Sequence, residues 1–447
     1  MPITSTLSRT SIHAVDFDRE PERFKVYTQR DLGAIDALRS LPDSLRFEMQ
    51  VVASVLPFRV NDYVIRELID WDRVPEDPIF QLTFPQRGML SDLHYDRMAM
   101  AHRSGMDKQG LKAVADEIRA QLNPHPAGQL ELNVPRDENG DPIVGLQHKY
   151  RETVLFFPSQ GQTCHSYCSF CFRWAQFIGD KSLRMATTEA GKLHDYLRDH
   201  QEVTDLLVTG GDPMVMKSRQ LKAYLEPLLH PDFSHIRSIR IGTKALTFWP
   251  QRFVTDEDAD ELIEWLHHLT IAGKHVAIMA HYNHAREMGT AIAKAAIGRL
   301  RGAGAEIRSQ GPLLAHINDD PRAWVDLWQE QVKLGIIPYY MFVERDTGSR
   351  HHFEVPLFRA WEIYRDAMRR VSGLGRTARG PSMSALPGKV EVQGVAEIQG
   401  EKVFVLRFIQ ARDPEWVQRP FFAQFDEQAT WLDQLKPAFG EKKFFFE

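Results

Sequence analysis

Between residues 146 and 371 the chain alternates between two hydrophobic periods. Short apolar runs rich in β-branched residues at 153–158, 205–209, 236–242, 275–281, 306–310 and 336–343 predict strands, and amphipathic stretches between most of them predict helices. The clearest helix is expected over 256–270. There Leu262, Leu266 and Leu269 share one face, Thr255 is placed to cap the start with Asp258 three residues on, and Gly273 follows as a stop. Six strands alternating with helices imply parallel β/α units. A six-unit partial barrel and an open doubly wound sheet both satisfy this alternation, and periodicity alone does not choose between them.

The flanking regions read differently. Up to about residue 145 the pattern is mainly helical, broken at Leu41-Pro42-Asp43 and at Val74-Pro75-Glu76-Asp77-Pro78. Residues 136–142 (Arg-Asp-Glu-Asn-Gly-Asp-Pro) form a strong turn signal and set a domain boundary there. From Ser372 the alternation stops. Gly373, Gly375, Gly380, Pro381 and Pro387 mark an irregular segment, and 390–405 reads as short strands around Gln399-Gly400. The expected organisation is a helical N-terminal extension (1–145), an α/β partial (β/α)6 TIM-like barrel (146–371) and a small α+β C-terminal region (372–447). The tail ends in Phe444-Phe445-Phe446, which needs a covering surface in this chain or in a partner.

Composition adds limits. Hydrophobic residues make up 43% of 447, enough for a large core. A net charge of -5 gives no reason to expect nucleic acid as a main partner. Mean hydropathy is -0.36, and no apolar run approaches the 18 or so residues of a membrane span. The first twenty residues lack the apolar stretch of a secretory signal, so the expected location is the cytoplasm.

The chain has three cysteines, all in Cys164-His165-Ser166-Tyr167-Cys168-Ser169-Phe170-Cys171, just after the first predicted strand of the β/α series. Clustered cysteines point to a metal site in a reducing compartment rather than to a disulfide framework. Thiolates are the usual ligands of iron–sulfur clusters, and four irons ordinarily take four of them. Three cysteines leave one iron open or filled by something else, and an open iron is a site for chemistry. The alternative is a structural zinc site with His165 or a distant histidine as fourth ligand, but such sites usually close on a second cysteine pair, which this chain lacks. At the end of the second predicted strand, Thr209-Gly210-Gly211-Asp212-Pro213 is an ordinary β/α turn taken alone; its glycines are expected to let backbone approach a ligand.

The C-x3-C-x2-C spacing, its place after the first strand, and Phe170 and Phe172 beside the last cysteine resemble the radical S-adenosylmethionine superfamily. Several ordered segments narrow the resemblance to the lysine 2,3-aminomutase family. They are 145–150 (Gly-Leu-Gln-His-Lys-Tyr), 207–213 (Leu-Val-Thr-Gly-Gly-Asp-Pro), 240–243 (Arg-Ile-Gly-Thr), 250–252 (Pro-Gln-Arg), 281–284 (His-Tyr-Asn-His), Ser309-Gln310 with Leu313-Leu314, 317–319 (Ile-Asn-Asp) and 338–340 (Pro-Tyr-Tyr). The resemblance runs from about residue 77 to 389.

It implies a 4Fe–4S cluster on Cys164, Cys168 and Cys171, whose open iron binds S-adenosylmethionine. Reductive cleavage would give a 5′-deoxyadenosyl radical. Gly210, Gly211, Asp212, Thr243, His281 and Gln310 would form the S-adenosylmethionine pocket. The family also uses pyridoxal phosphate, expected here on Lys389 of Pro387-Gly388-Lys389, with Lys149 and Tyr150 at its phosphate and ring. The glycine run before Lys389 is shorter than the family's, and a second family arginine for the phosphate is Thr153 here. Arg173 matches the arginine that pairs with the substrate carboxylate. Of two aspartates that hold a lysine substrate's ammonium, one position falls at Arg345 with Asp346 beside it, and the other near Ser382. The cysteines that some members carry near the C-terminus are absent.

The resulting expectation is a pyridoxal phosphate-dependent 2,3-aminomutase acting on a free amino acid other than lysine. Its expected partners are the small-molecule substrate, an electron donor such as flavodoxin or ferredoxin, and further copies of the chain, with no membrane. Two rivals stay open. One is a radical enzyme that works without pyridoxal phosphate on a peptide, a protein or another small molecule. The other is a non-catalytic metal-binding scaffold.

Overall fold

The computed structural model describes residues 24–129, 131–179 and 185–447; the N-terminal stretch read above for a secretory signal lies outside them. A two-stranded ribbon, β1 (Val26–Thr28) and β2 (Arg59–Asn61), sits among the helices of the N-terminal region. An eleven-stranded sheet follows. It begins with an antiparallel hairpin, β3 (Leu146–Tyr150) and β4 (Thr153–Phe156). Then β5 (Asp205–Val208), β6 (Ser238–Thr243), β7 (His275–His281), β8 (Glu306–Leu313) and β9 (Ile337–Val343) continue parallel to β4.

The strand order is strictly sequential. A doubly wound sheet reverses its order at a switch point, and this one does not. Right-handed crossovers without reversal put every helix on the same face, as in a barrel wall. The six parallel units therefore form an open partial barrel, with no pairing among the described residues that closes it.

The apolar runs become strands because one face of each packs into a shared core. Val154, Phe156, Leu206, Val208, Ile239, Ile241, Val276 and Ile278 are all fully buried in one core with Leu262, Leu266 and Leu269 of the helix Ala259–Ile271. Each such side chain contributes about 1.5–3 kcal/mol. That helix starts later than expected. Thr255 does not cap it; Asp258 occupies the cap position, yet makes no cap bond. Its carboxylate is engaged elsewhere, accepting from Arg252 (2.8 Å) and from the Ser218 amide (2.6 Å). Gly273 follows with φ of 90°, a left-handed residue that ends the helix.

The segment after residue 372 is not irregular. β10 (Arg379–Ser384) extends the sheet parallel to β9. β11 (Gly388–Ile398), β12 (Glu401–Ala411) and β13 (Pro420–Gln424) then pair antiparallel. Gln399 and Gly400, both at positive φ, turn the β11–β12 hairpin. Lys389 is thus a strand residue, opposite Ser384 and Gln410. The aromatic tail is covered by its own chain: Phe444 is buried, with its ring 5.5 Å from that of Phe421.

A second apolar core ties the N-terminal region to the segment carrying the cysteines. Phe170 and Trp174 pack there with Val60, Phe84 and Leu314, and Cys168 and Cys171 lie against it. Arg252, from the Pro-Gln-Arg segment, is fully buried and structural. It binds Asp258, Asp256 (3.2 Å) and the carbonyls of Met214 (2.9 Å) and Met216 (3.0 Å). This joins the turn after β5 to the turn after β6. Arg252→Met is expected to lower stability by about 3–5 kcal/mol, because it leaves the aspartates without their cation. The urea midpoint checks this, and an unchanged midpoint contradicts the clamp.

Candidate functional site

A cavity of about 300 Å³ opens at the C-terminal ends of the parallel strands. The long connection after β4 brings Cys164, Cys168 and Cys171 to its wall, and Gly210, Gly211, Asp212, Thr243, His281 and Gln310 line it from the ends of β5 to β8. Arg173, Arg345 and Lys389 line the same cavity. Lys149, Tyr150 and Asp346 are not among its lining residues.

Burial pushes all three thiols up, Cys168 to about 12 and Cys171 to about 11, so holding them as thiolates requires a bound cation. Among the described residues no three His, Cys, Asp or Glu side chains converge on a single ion. Three thiols on one cavity wall fit a cluster, whose ligands sit on separate irons. His165 packs against Trp249, ring centroids 4.5 Å apart and tilted by 44°, with Nδ1 3.8 Å from Asp212.

The glycine pair, besides lining the cavity, makes a close contact within the chain. A Cβ on Gly211 would stand 2.4 Å from the Thr163 carbonyl oxygen and 2.6 Å from its nitrogen, and one on Gly210 would meet the Gln162 amide at 2.2 Å. The Asp212 amide also donates to the carbonyls of Thr163 (2.7 Å) and Gly161 (3.0 Å). The glycines therefore let the end of β5 lie against the chain that leads into Cys164. Asp212 is itself saturated, accepting from the Thr243 hydroxyl (2.7 Å) and the amides of Lys244 (2.8 Å) and Met214 (2.9 Å). Burial pushes its carboxyl up to about 6 against these bonds. Asp212 and Thr243 thus tie β5 to β6, each using its side chain on the other.

His281 and Gln310 face one another across β7 and β8, with Nε2 to Nε2 of 2.8 Å. Burial, then the charges of Lys244 and Arg173, push the imidazole down to about 3 and keep it neutral. Lys244 lines the cavity and was not anticipated. Its ammonium binds Glu287 (2.7 Å) and Asn283 (3.0 Å). Its only signal in the sequence is its position at the end of a strand.

Lys389 donates to Gln410 (3.1 Å) and sits 4.1 Å over the Tyr340 ring. Burial, then Arg379, Arg240 and Lys149, push its amine down to about 7. Lys149 is pushed down to about 7 as well, by burial, then Arg412 and Arg345, and its ammonium donates to the Ala385 carbonyl. Thr153 is buried in β4 and brings no charge. Ser382 is also buried, on the Met341 carbonyl, and Ser384, two residues on, lines the cavity. Asp346 is held by Asn123, its Oδ2 at 3.3 Å, and stands 3.9 Å from Arg345. A buried amine half-neutral near pH 7, with cations close by, fits an aldehyde cofactor that carries a phosphate.

An open sheet of six β/α units that presents three cysteines after its first parallel strand is the architecture of a radical S-adenosylmethionine enzyme. No family model matches the chain. A putative L-lysine 2,3-aminomutase of Aquifex aeolicus is 29% identical over 91% of this chain and 95% of its own length. A putative L-lysine 2,3-aminomutase of Treponema pallidum is 31% identical over 62% of this chain and 74% of its own. A glutamate 2,3-aminomutase of Clostridioides difficile is 29% identical over 53% and 52%. The chain belongs to the lysine 2,3-aminomutase-like family.

Two outcomes follow from this geometry. Gly211→Ala is expected to cost about 1–3 kcal/mol by overpacking and to reduce iron uptake on reconstitution. Gly242→Ala, whose Cβ meets nothing nearer than 3.5 Å, is the control, and equal iron uptake by both contradicts the bracing role. Reductive trapping of an aldehyde at Lys389 should rise with pH through about 7, because the free amine predominates above its depressed value. An ordinary lysine requires about pH 10. Arg379→Gln removes a neighbouring cation and should move the midpoint upward; a midpoint near 10 in the unaltered protein contradicts the burial argument.

Proposed function

We propose that this chain is a radical S-adenosylmethionine enzyme that moves an amino group between C2 and C3 of a free α-amino acid other than lysine, with pyridoxal phosphate held at Lys389. The observation that carries the reading is that one cavity is lined both by the three cysteine thiols and by the Lys389 amine. Family membership supports the same reaction. When bound, the cluster with S-adenosylmethionine supplies a radical able to take hydrogen from an unactivated carbon, and pyridoxal phosphate supplies the conjugated ring that lets a nitrogen migrate.

The chain's own residues have the following parts. Cys164, Cys168 and Cys171 hold the cluster and leave an iron open. Lys389 takes the cofactor aldehyde, and its depressed basicity keeps a free amine available near neutral pH. Lys149 and Arg379 are near enough to lower that basicity and balance a phosphate. Arg173 offers a guanidinium for the substrate carboxylate, a bidentate match. Phe172, Tyr340 and Phe342 wall the cavity and limit water. Arg345 lines it where lysine-using relatives would hold an ammonium, and a second cation there disfavours lysine. The reading implies a one-electron donor such as flavodoxin or ferredoxin and a reducing, cytoplasmic setting, with the chain assembling as a homo-oligomer.

Borohydride reduction of the reconstituted protein, followed by peptide mass mapping, is expected to place the label on the peptide containing Lys389. Cys168→Ala is expected to abolish 5′-deoxyadenosine formation. Label on another lysine removes the Lys389 assignment, and full cleavage of S-adenosylmethionine by Cys168→Ala removes the radical reading.

A further inference from the structure

The cavity contains more unmatched positive charge than one amino acid carboxylate can satisfy. Arg173 and Arg345 both line it, and neither guanidinium donates a hydrogen bond to any described residue. Nη1 of Arg173 and Nε of Arg345 are fully buried and without partners. A guanidinium carries five donors, and leaving them unmatched away from water is costly. Both cations stand near the same ring: the guanidinium carbon of Arg173 is 5.2 Å from the Phe172 centroid and that of Arg345 is 5.4 Å from it. Their separation therefore cannot exceed what a short dicarboxylic amino acid, with an ion pair at each end, can span.

Arg345 has no hydrogen-bonded acid. Asp346 makes only a long ion pair with it, Nε to Oδ1 3.9 Å, and its Oδ2 is bound by Asn123. Glu344 lines the cavity, is buried, and has its Oε1 unpartnered. Burial, opposed by the charge of Arg345, pushes its carboxyl well above the usual range. A guanidinium with no hydrogen-bonded carboxylate is a receptor for an anion.

We propose that the substrate is an acidic α-amino acid, its α-carboxylate paired with Arg173 and its side-chain carboxylate paired with Arg345. This assignment rests on reading the cavity as an amino acid site. Arg345 then determines specificity at the end of the substrate remote from the α-carbon.

The test uses anaerobically reconstituted, cofactor-loaded protein. L-aspartate, L-glutamate, L-2-aminoadipate, the amides L-asparagine and L-glutamine, and L-lysine are titrated while the cofactor absorbance is followed. One of the diacids is expected to bind roughly tenfold to a hundredfold more tightly than lysine or its own amide, as loss of a charge-assisted hydrogen bond predicts. Arg345→Gln should remove that preference while keeping the cofactor, the iron content and the thermal midpoint, and Arg345→Asp should shift the preference towards lysine. A wild-type preference for lysine or an amide overturns the inference, as does an acid preference that survives in Arg345→Gln. Loss of the cofactor from Arg345→Gln assigns that arginine to the phosphate and also overturns it. Failure of the wild-type protein to take up pyridoxal phosphate is a separate result, which overturns the aminomutase reading and the inference together.

Discussion

The cavity at the C-terminal edge of the sheet holds three thiols, two guanidiniums and two lysine amines out of water with few anions to balance them. Lys244 has Glu287, but Arg173 and Arg345 make no hydrogen bonds with described residues, and Lys389 has only a neutral amide. Such an arrangement is unfavourable in a bare protein, since buried charge without a partner costs several kcal/mol. It becomes favourable once a cluster, a phosphate and carboxylates occupy the space. The polar groups at the rim are complementary to ligands more than to each other.

Much of the surrounding fold keeps those groups dry and fixed. The N-terminal helices build a separate apolar core that takes in Phe170 and Trp174, immobilising the cysteine loop from behind. Gly210, Gly211 and Asp212 lock the start of that loop to the end of β5, and Arg252 joins the adjoining turns. On the other side, β10 to β13 extend the sheet and carry Lys389 to the cavity from a rigid strand instead of a mobile turn. Constellations held on strands are positioned more exactly than those held on loops.

The sequence and the structure agree where the signal is local. β4 to β9 are legible because their apolar residues feed one buried core, and the cysteine motif is legible because its spacing is chemically restrictive. β10 was hidden by its composition, Arg-Gly-Pro-Ser-Met-Ser, which reads as loop and becomes a strand only through pairing with β9 and β11. Pro387-Gly388 made Lys389 look like a turn residue, although its place is set by Gln410, distant in the chain. Arg345 and Asp346 both fall at the substrate position by resemblance, yet it is Glu344 and Arg345 that line the cavity while Asp346 faces Asn123. Direction and burial are non-local properties, and nothing in the spacing of those three residues encodes them.

The account depends on the cluster and the aldehyde cofactor sharing this one cavity. The most direct measurement is an anaerobic absorption spectrum of the reconstituted protein, recorded beside that of Lys389→Ala. The account predicts a broad iron–sulfur absorption in both proteins and a Schiff-base band in the first that is missing from the second. A complete cluster spectrum with no Schiff-base band, or a band that persists in Lys389→Ala, would contradict it.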